Sequence, residues 1–225
     1  MKAVVFDLDE TLIDRSSAVT RFAERLWESN LSNGELSQID FVNDVHLKDR
    51  HGYTPRDEFF TLMWEAYSKA FTSKSTIEDA FYDQVWETPV LAEGVIEWLS
   101  RLRELNIPLG IVSNGSTRAQ QAKIKHSGIG DYFSVTIVSE AFGVKKPDPT
   151  IYQSAADQLG LSAHECWFVG DHPVNDVWGS KQVGFQTAWV HLNRPWSPDL
   201  DPCYDVKGES FSATMDAVLE KELGV

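Results

Sequence analysis

Cysteine is scarce in this chain: two residues, Cys166 and Cys203, in 225. They show no Cys-x-x-Cys spacing and cannot form a disulfide framework, so a reducing cytoplasm is the expected compartment. Basic residues are also few. Twenty Lys and Arg face 34 Asp and Glu, a formal net charge of -14. Such a surface repels nucleic acid and anionic membranes, and neither is an expected partner. No apolar run approaches membrane-spanning length. The opening MKAVVFDLDE is too short in its apolar part and too acidic to read as a signal peptide. Repeats and low-complexity tracts are missing, and residues 15–88 contain no convincing strand.

What is present is ordinary globular sequence, 42% hydrophobic and 24% charged. It suffices for one large domain, or a main domain with a smaller insert. Five short apolar runs read as buried strands: 3–6, 109–112, 135–138, 167–169 and 187–190. Near-continuous apolar runs suit a parallel sheet covered on both faces. Helical patterns alternate with them. Val95, Trp98, Leu99 and Leu102 share one helical face. Ala119, Ala122 and Lys123 continue another helix, which Gly128 can close. Asp148 before Pro149 reads as an N-cap with proline at the first helical position. The expectation is an α/β fold with a doubly wound, Rossmann-like parallel sheet.

The strandless segment carries helical stripes instead: Val19, Phe22, Ala23, Leu26 and Trp27, then Phe59, Leu62, Met63, Ala66 and Tyr67, then Ile77, Ala80, Phe81 and Val85. A weaker helix is expected over 39–47. Residues 15–88 therefore read as a helical bundle inserted into a core made of residues 1–14 and 89–225. Residues 193–204, with three prolines, read as a surface loop, and a last helix is expected over 212–223.

Four of the five strands end at or beside a polar residue: Asp7, Ser113, Ser139 and Asp171. Ligands of open α/β sheets bind beyond these carboxyl ends. VVFDLDETLID places Asp7 and Asp9 after the first strand, SNG follows the second, KKPDP the third, and GDHPVND the fourth. Paired carboxylates so close repel unless a cation or a shared proton relieves them. Oxygen ligands of this kind suit Mg2+, which would neutralise Asp7 and Asp171 and polarise a phosphate oxygen. One carboxylate can attack phosphorus, and the other can protonate the leaving oxygen and later deprotonate water.

These motifs resemble the haloacid dehalogenase superfamily, specifically its phosphatase branch with a helical C1 cap. The resemblance covers Asp7 to Asp176 and lies in four ordered motifs. It implies that Asp7 is the nucleophile and Asp9 the acid/base, whose backbone carbonyl also binds Mg2+. It implies that Ser113 holds phosphate with the Asn114 and Gly115 amides. Lys146 would pair with Asp7 and the phosphoryl charge, with Lys145 as its rival. Asp171 would bind the metal, and Asp176 would be a second ligand or an outer-shell partner. Thr11 either touches phosphate or caps its loop. His172 reads as a solvated loop histidine or a ligand. Arg50, among Lys48, Arg50 and His51, is the best candidate for substrate contact from the cap. Phe59, Phe60, Trp64 and Tyr67 read as bundle core rather than a ring-binding pocket.

The implied activity is a Mg2+-dependent phosphomonoester hydrolase acting through an aspartyl phosphate. Its substrate would be a small metabolite, a nucleotide monophosphate or a sugar phosphate. Asp9 argues against dehalogenation, since a halide needs no proton. A phosphonate-cleaving relative would need a Schiff-base lysine, and nothing marks Lys48, Lys69 or Lys74 as desolvated. A sugar-phosphate mutase and a non-enzymatic phosphoacceptor domain are the alternatives. The sequence does not fix the oligomeric state.

Overall fold

A computed structural model describes residues 1–192 and 194–224. Six strands form one parallel sheet: β1 (Ala3–Phe6), β2 (Leu109–Ser113), β3 (Val135–Val138), β4 (Cys166–Gly170), β5 (Gln186–Val190) and β6 (Val206–Gly208). Their spatial order is β3-β2-β1-β4-β5-β6. The first five occupy the five apolar runs, the α/β arrangement expected. β6 is a strand the sequence did not announce. Its residues are Val, Lys and Gly, with no apolar run, and it exists by pairing with β5 from Ala188↔Val206 to Val190↔Gly208.

The chain divides into two compact units, Met1–Asp14 with Leu91–Val225, and Arg15–Val90. In the first unit, helices α5 (Val95–Glu104), α6 (Thr117–Ser127), α7 (Ser139–Phe142), α8 (Pro149–Gln158), α9 (Gly179–Gln182) and α10 (Phe211–Leu223) surround the sheet. Successive residues of a strand face opposite ways, and β1 divides accordingly. Val4 and Phe6 pack with Leu99 and Leu102 of α5 and Met215 and Val218 of α10. Ala3 and Val5 pack with Ile151, Tyr152 and Ala155 of α8. All four β1 residues are fully buried, which is why the strand reads as an unbroken apolar run. Asp148 caps α8 through the Thr150 amide at 2.9 Å, and Gly128 closes α6 in the left-handed conformation. Cys166 is buried at the start of β4.

The second unit holds α1 (Arg15–Asn30), α2 (Gln38–Asp49), α3 (Arg56–Tyr67) and α4 (Lys74–Phe81). Phe22, Phe41, Phe59, Phe60 and Phe81 are buried together at its centre. The helical stripe through Val85 does not continue as α-helix. Beyond Phe81 the chain widens into a π-helical turn, Tyr82–Trp86. The segment read as a surface loop begins at Asn193, which lies outside the described residues. Within 194–204, Trp196 packs edge-on against Trp189 of β5 at 5.1 Å and donates its indole N–H to the Leu200 carbonyl at 2.6 Å. The loop is thereby pinned to the end of the sheet.

Candidate active site

The strand order reverses direction around β1. β2 and β3 lie on one side of it, and β4 to β6 on the other. The crevice at such a switch point is where ligands bind in sheets of this kind. The Asp7 amide continues the ladder, donating to the Val169 carbonyl at 2.9 Å. Asp7 and Asp171 thus leave neighbouring strand ends side by side. The chain beyond Asp7 curls back at once. Glu10, with φ of 61°, takes the left-handed conformation, and its amide reaches the Ile13 carbonyl at 2.7 Å.

Three carboxylates gather at this edge. Asp7, Asp171 and Asp176 are all buried, and each offers an oxygen within 4.8 Å of the others. Lys146 Nζ lies 2.6 Å from Asp7 Oδ1 and 2.6 Å from Asp176 Oδ1. Arg194 Nη2 stands 3.1 Å from Asp171 Oδ2. Three negative charges therefore meet two positive ones. Burial, together with Asp176 and Asp9, outweighs the opposing pull of Lys146 and pushes the Asp7 carboxyl up to about 7. Burial and Asp176 raise Asp171 well above the ordinary carboxylate value. For Lys146, burial opposes the charge, but Asp176 and Asp7 outweigh it and hold the ammonium above its usual value. Buried all-oxygen donors with such crowded charge fit a hard divalent cation such as Mg2+.

Each acid is fixed locally. Asp176 Oδ2 accepts from the His172 amide at 2.8 Å. A Cβ on Gly170 would stand 2.4 Å from Asp176 Cβ, so the glycine before Asp171 leaves room for the second acid. The loop carrying Lys146 is held by Asn114: the Lys146 amide donates to its Oδ1 at 2.8 Å, and its Nδ2 donates to the Lys146 carbonyl at 3.0 Å. Lys145, the rival lysine, is exposed.

The other expected residues sit as follows. Asp9 is apart from the three-acid cluster, with both its oxygens 2.7 Å from Lys123 Nζ. Ser113, at the end of β2, is 1% exposed and accepts from Gln120 Nε2 at 2.7 Å. Of the two backbone amides expected from SNG, that of Gly115 donates to Ser139 Oγ at 3.0 Å. The Asn114 side chain, as distinct from its backbone amide, is spent on the lysine loop. Thr11 is fully buried, and its hydroxyl finds no partner among the described residues, so it does not cap its loop. His172 is half-buried. Its Nδ1 accepts the Val174 and Asn175 amides at 3.1 Å each, capping the turn that carries Asp176. Burial lowers its pKa, which suits that acceptor role.

Arg50 belongs to the helical unit. It is exposed at the end of α2, with φ of 49°. Its neighbour Asp49 is buried, with Oδ2 and Oδ1 each 2.7 Å from Arg15 and Oδ1 3.0 Å from Arg56. Sequence reasoning missed Gln120, Lys123, Arg194 and this Arg15–Asp49–Arg56 group. For Lys123 a signal existed: a lysine lying among the alanines of a buried helical face.

A doubly wound parallel sheet that gathers acids and a lysine at its switch point is the framework of an α/β enzyme. Residues 1–184 match the haloacid dehalogenase-like hydrolase family, to which the chain belongs. A glyceraldehyde 3-phosphate phosphatase of Pyrococcus abyssi is 30% identical over 201 residues, 86% of this chain and 83% of that one. An (S)-2-haloacid dehalogenase 4A of Burkholderia cepacia is 28% identical, over 88% of this chain and 85% of its own. Among solved structures, the HAD-hydrolase YfnB from Bacillus subtilis, crystallised with magnesium, superposes with a TM-score of 0.73 at 22% identity. That match covers 100% of this chain and 99% of that one, and shows a shared fold. Among the described residues no helix is long and apolar enough to cross a membrane.

Proposed function

We propose that this hydrolase cleaves small phosphate monoesters through an aspartyl phosphate on Asp7, and that it requires Mg2+. The observation that carries the reading is the position of Lys146 Nζ, 2.6 Å from both Asp7 and Asp176 with Asp171 alongside. That arrangement supplies a nucleophile, a charge partner and a cation site at one point.

In the first half-reaction an Asp7 oxygen attacks phosphorus and the bond from phosphorus to the leaving oxygen breaks. Asp9 gives that oxygen its proton. In the second, Asp9 takes a proton from water, the water oxygen attacks phosphorus, and the bond to Asp7 breaks. Inorganic phosphate leaves, with Asp7 a carboxylate and Asp9 protonated again. Lys146 offsets negative charge on the phosphoryl oxygens throughout. A Mg2+ held by Asp7, Asp171 and the Asp9 carbonyl, with Asp176 as a further ligand or an outer partner, would neutralise the acids and polarise a phosphate oxygen. Ser113 Oγ would hold the phosphate, aided by the Asn114 amide.

The helical unit would act as the cap that selects the leaving group, with Arg50 its candidate contact. The Pyrococcus abyssi relative makes a sugar phosphate the first substrate class to test. Nucleotide monophosphates follow. Against dehalogenation stands Asp9, an acid that halide departure does not use. The test is phosphate release from a panel of phosphomonoesters with and without Mg2+, using Asp7→Asn as control. Metal-dependent release that the variant loses supports the reading. No release, with phosphate or its analogue stably bound at Asp7, would replace it with a mutase or a phosphoacceptor.

A further inference from the structure

Helix α6 carries Gln120 and Lys123 three residues apart, on one face. Neither belongs to the four motifs, yet they are 1% and 3% exposed. A lysine that deep is costly unless its charge is met. Its Nζ lies 2.7 Å from each Asp9 oxygen and 2.9 Å from Gln120 Oε1. Gln120 Nε2 lies 3.0 Å from Asp9 Oδ2, 2.7 Å from Ser113 Oγ and 3.2 Å from the Asn114 carbonyl. A Cβ on Gly115 would come within 3.0 Å of the Gln120 side chain, so that side chain is walled in. One helix therefore ties the acid of the β1 loop to the hydroxyl at the end of β2.

We propose that Lys123 and Gln120 are positioning residues that aim the Asp9 carboxylate, with Gln120 joining that aim to the phosphate site at Ser113. The inference rests on the phosphatase reading. Lys123 fixes where both Asp9 oxygens sit. Gln120, an amide with two hydrogens and one acceptor oxygen, holds Lys123 and spans Asp9 and Ser113. Disturbing either should weaken both proton transfers, and loss of Gln120 should also loosen the phosphate site through Ser113.

The test exploits leaving groups. The p-nitrophenolate leaving group departs with little need of a proton, and phenolate needs one more. Rapid-quench measurement of phosphoenzyme formation from p-nitrophenyl phosphate and phenyl phosphate, with Mg2+, compares the parent with Lys123→Met, Gln120→Leu and Asp9→Asn. Both positioning variants should lower kcat by roughly 10–100-fold, and kcat/KM should fall far more for phenyl than for p-nitrophenyl phosphate. Their phosphorylation rates should fall much further for phenyl than for p-nitrophenyl phosphate. Phosphoenzyme should accumulate with the latter, because water attack is slowed. Lys123→Arg should restore part of the rate. If Asp9→Asn shows this leaving-group dependence and neither positioning variant does, the inference is overturned while the phosphatase reading stands. If Asp9→Asn itself lacks it, the acid/base assignment falls first. Should Lys123→Met fail to fold, Gln120→Leu, which removes no charge, carries the same comparison.

Discussion

Replacing Lys146 by Met keeps the length of the side chain and removes its charge. The Lys146 side chain is 2% exposed, bonded at 2.6 Å to Asp7 and to Asp176, with the Phe168 ring beneath it at 5.4 Å. The apolar contact survives in the variant and the two ion pairs do not. Three buried carboxylates within 4.8 Å then keep only Arg194 as a described cationic partner. Removing one partner of a buried pair costs about 3–5 kcal/mol, because the charge left behind is desolvated and unmatched. That is a large part of a typical folding stability of about 5–15 kcal/mol. The chain has two units, so a single melting curve would mix them. Hydrogen exchange at the β1 and β4 amides, without divalent cation, reads the sheet alone. Those amides should lose about 3–5 kcal/mol of protection in Lys146→Met. Adding Asp176→Asn removes one of the stranded charges and should return about 1–3 kcal/mol. A loss below about 1 kcal/mol, or a double variant no better than the single, would refute the view that Lys146 is the counter-charge of this cluster.

Four further outcomes are expected. Asp7→Asn should abolish phosphate release while leaving the sheet's hydrogen exchange intact, because Asn removes a crowded charge without changing shape. On activity, Lys146→Ala should cost at least about 10²–10³ in kcat, and Lys145→Ala, on an exposed residue, should cost little. If the lysines rank the other way in steady-state kinetics, the wrong one has been assigned. In the helical unit, burial would raise Asp49, but Arg15 and Arg56 outweigh it and hold the carboxyl at about 2, below the ordinary 3.8. A depressed carboxyl gives stability that is present above pH 3.8 and is lost as pH falls toward 2, about 2 kcal/mol here. Acid unfolding followed by exchange at α2 amides should show that loss in the parent and a flat response in Asp49→Asn. Lastly, Mg2+ at a hundredfold excess over its Kd should stabilise the sheet by about 2.7 kcal/mol. Asp171→Ala should remove the gain in the same exchange experiment.

The elements were legible where their residues carry a local period. β1 is an unbroken apolar run because the strand is buried on both faces, and an acid where the run stops marks its carboxyl end. Asp148–Pro149 and Gly128 announced the ends of helices by cap chemistry that acts within a few residues. β6 carried no such mark, since a three-residue edge strand is made by its neighbour. The π-helical turn after α4 also lacked one, because the stripe of Ile77, Ala80, Phe81 and Val85 is compatible with either winding.

The candidate site divides along the same line. The sequence by itself determined which acids stand at the strand ends and that a lysine pair follows the third strand, and so the inventory of the chemistry. Only the tertiary structure decided the pairings. Asp7 meets Lys146 across 139 positions, Asp9 meets Lys123 across 114, and Asn114 is spent on the loop of Lys146 across 32. It also turned His172 into a cap and brought Arg194 to Asp171. Periodicity and capping act through neighbouring residues and leave a written pattern. Which strand end lies beside which is set by the order of the sheet, and charge in a buried crevice is felt only once that order has brought the groups within a few ångströms.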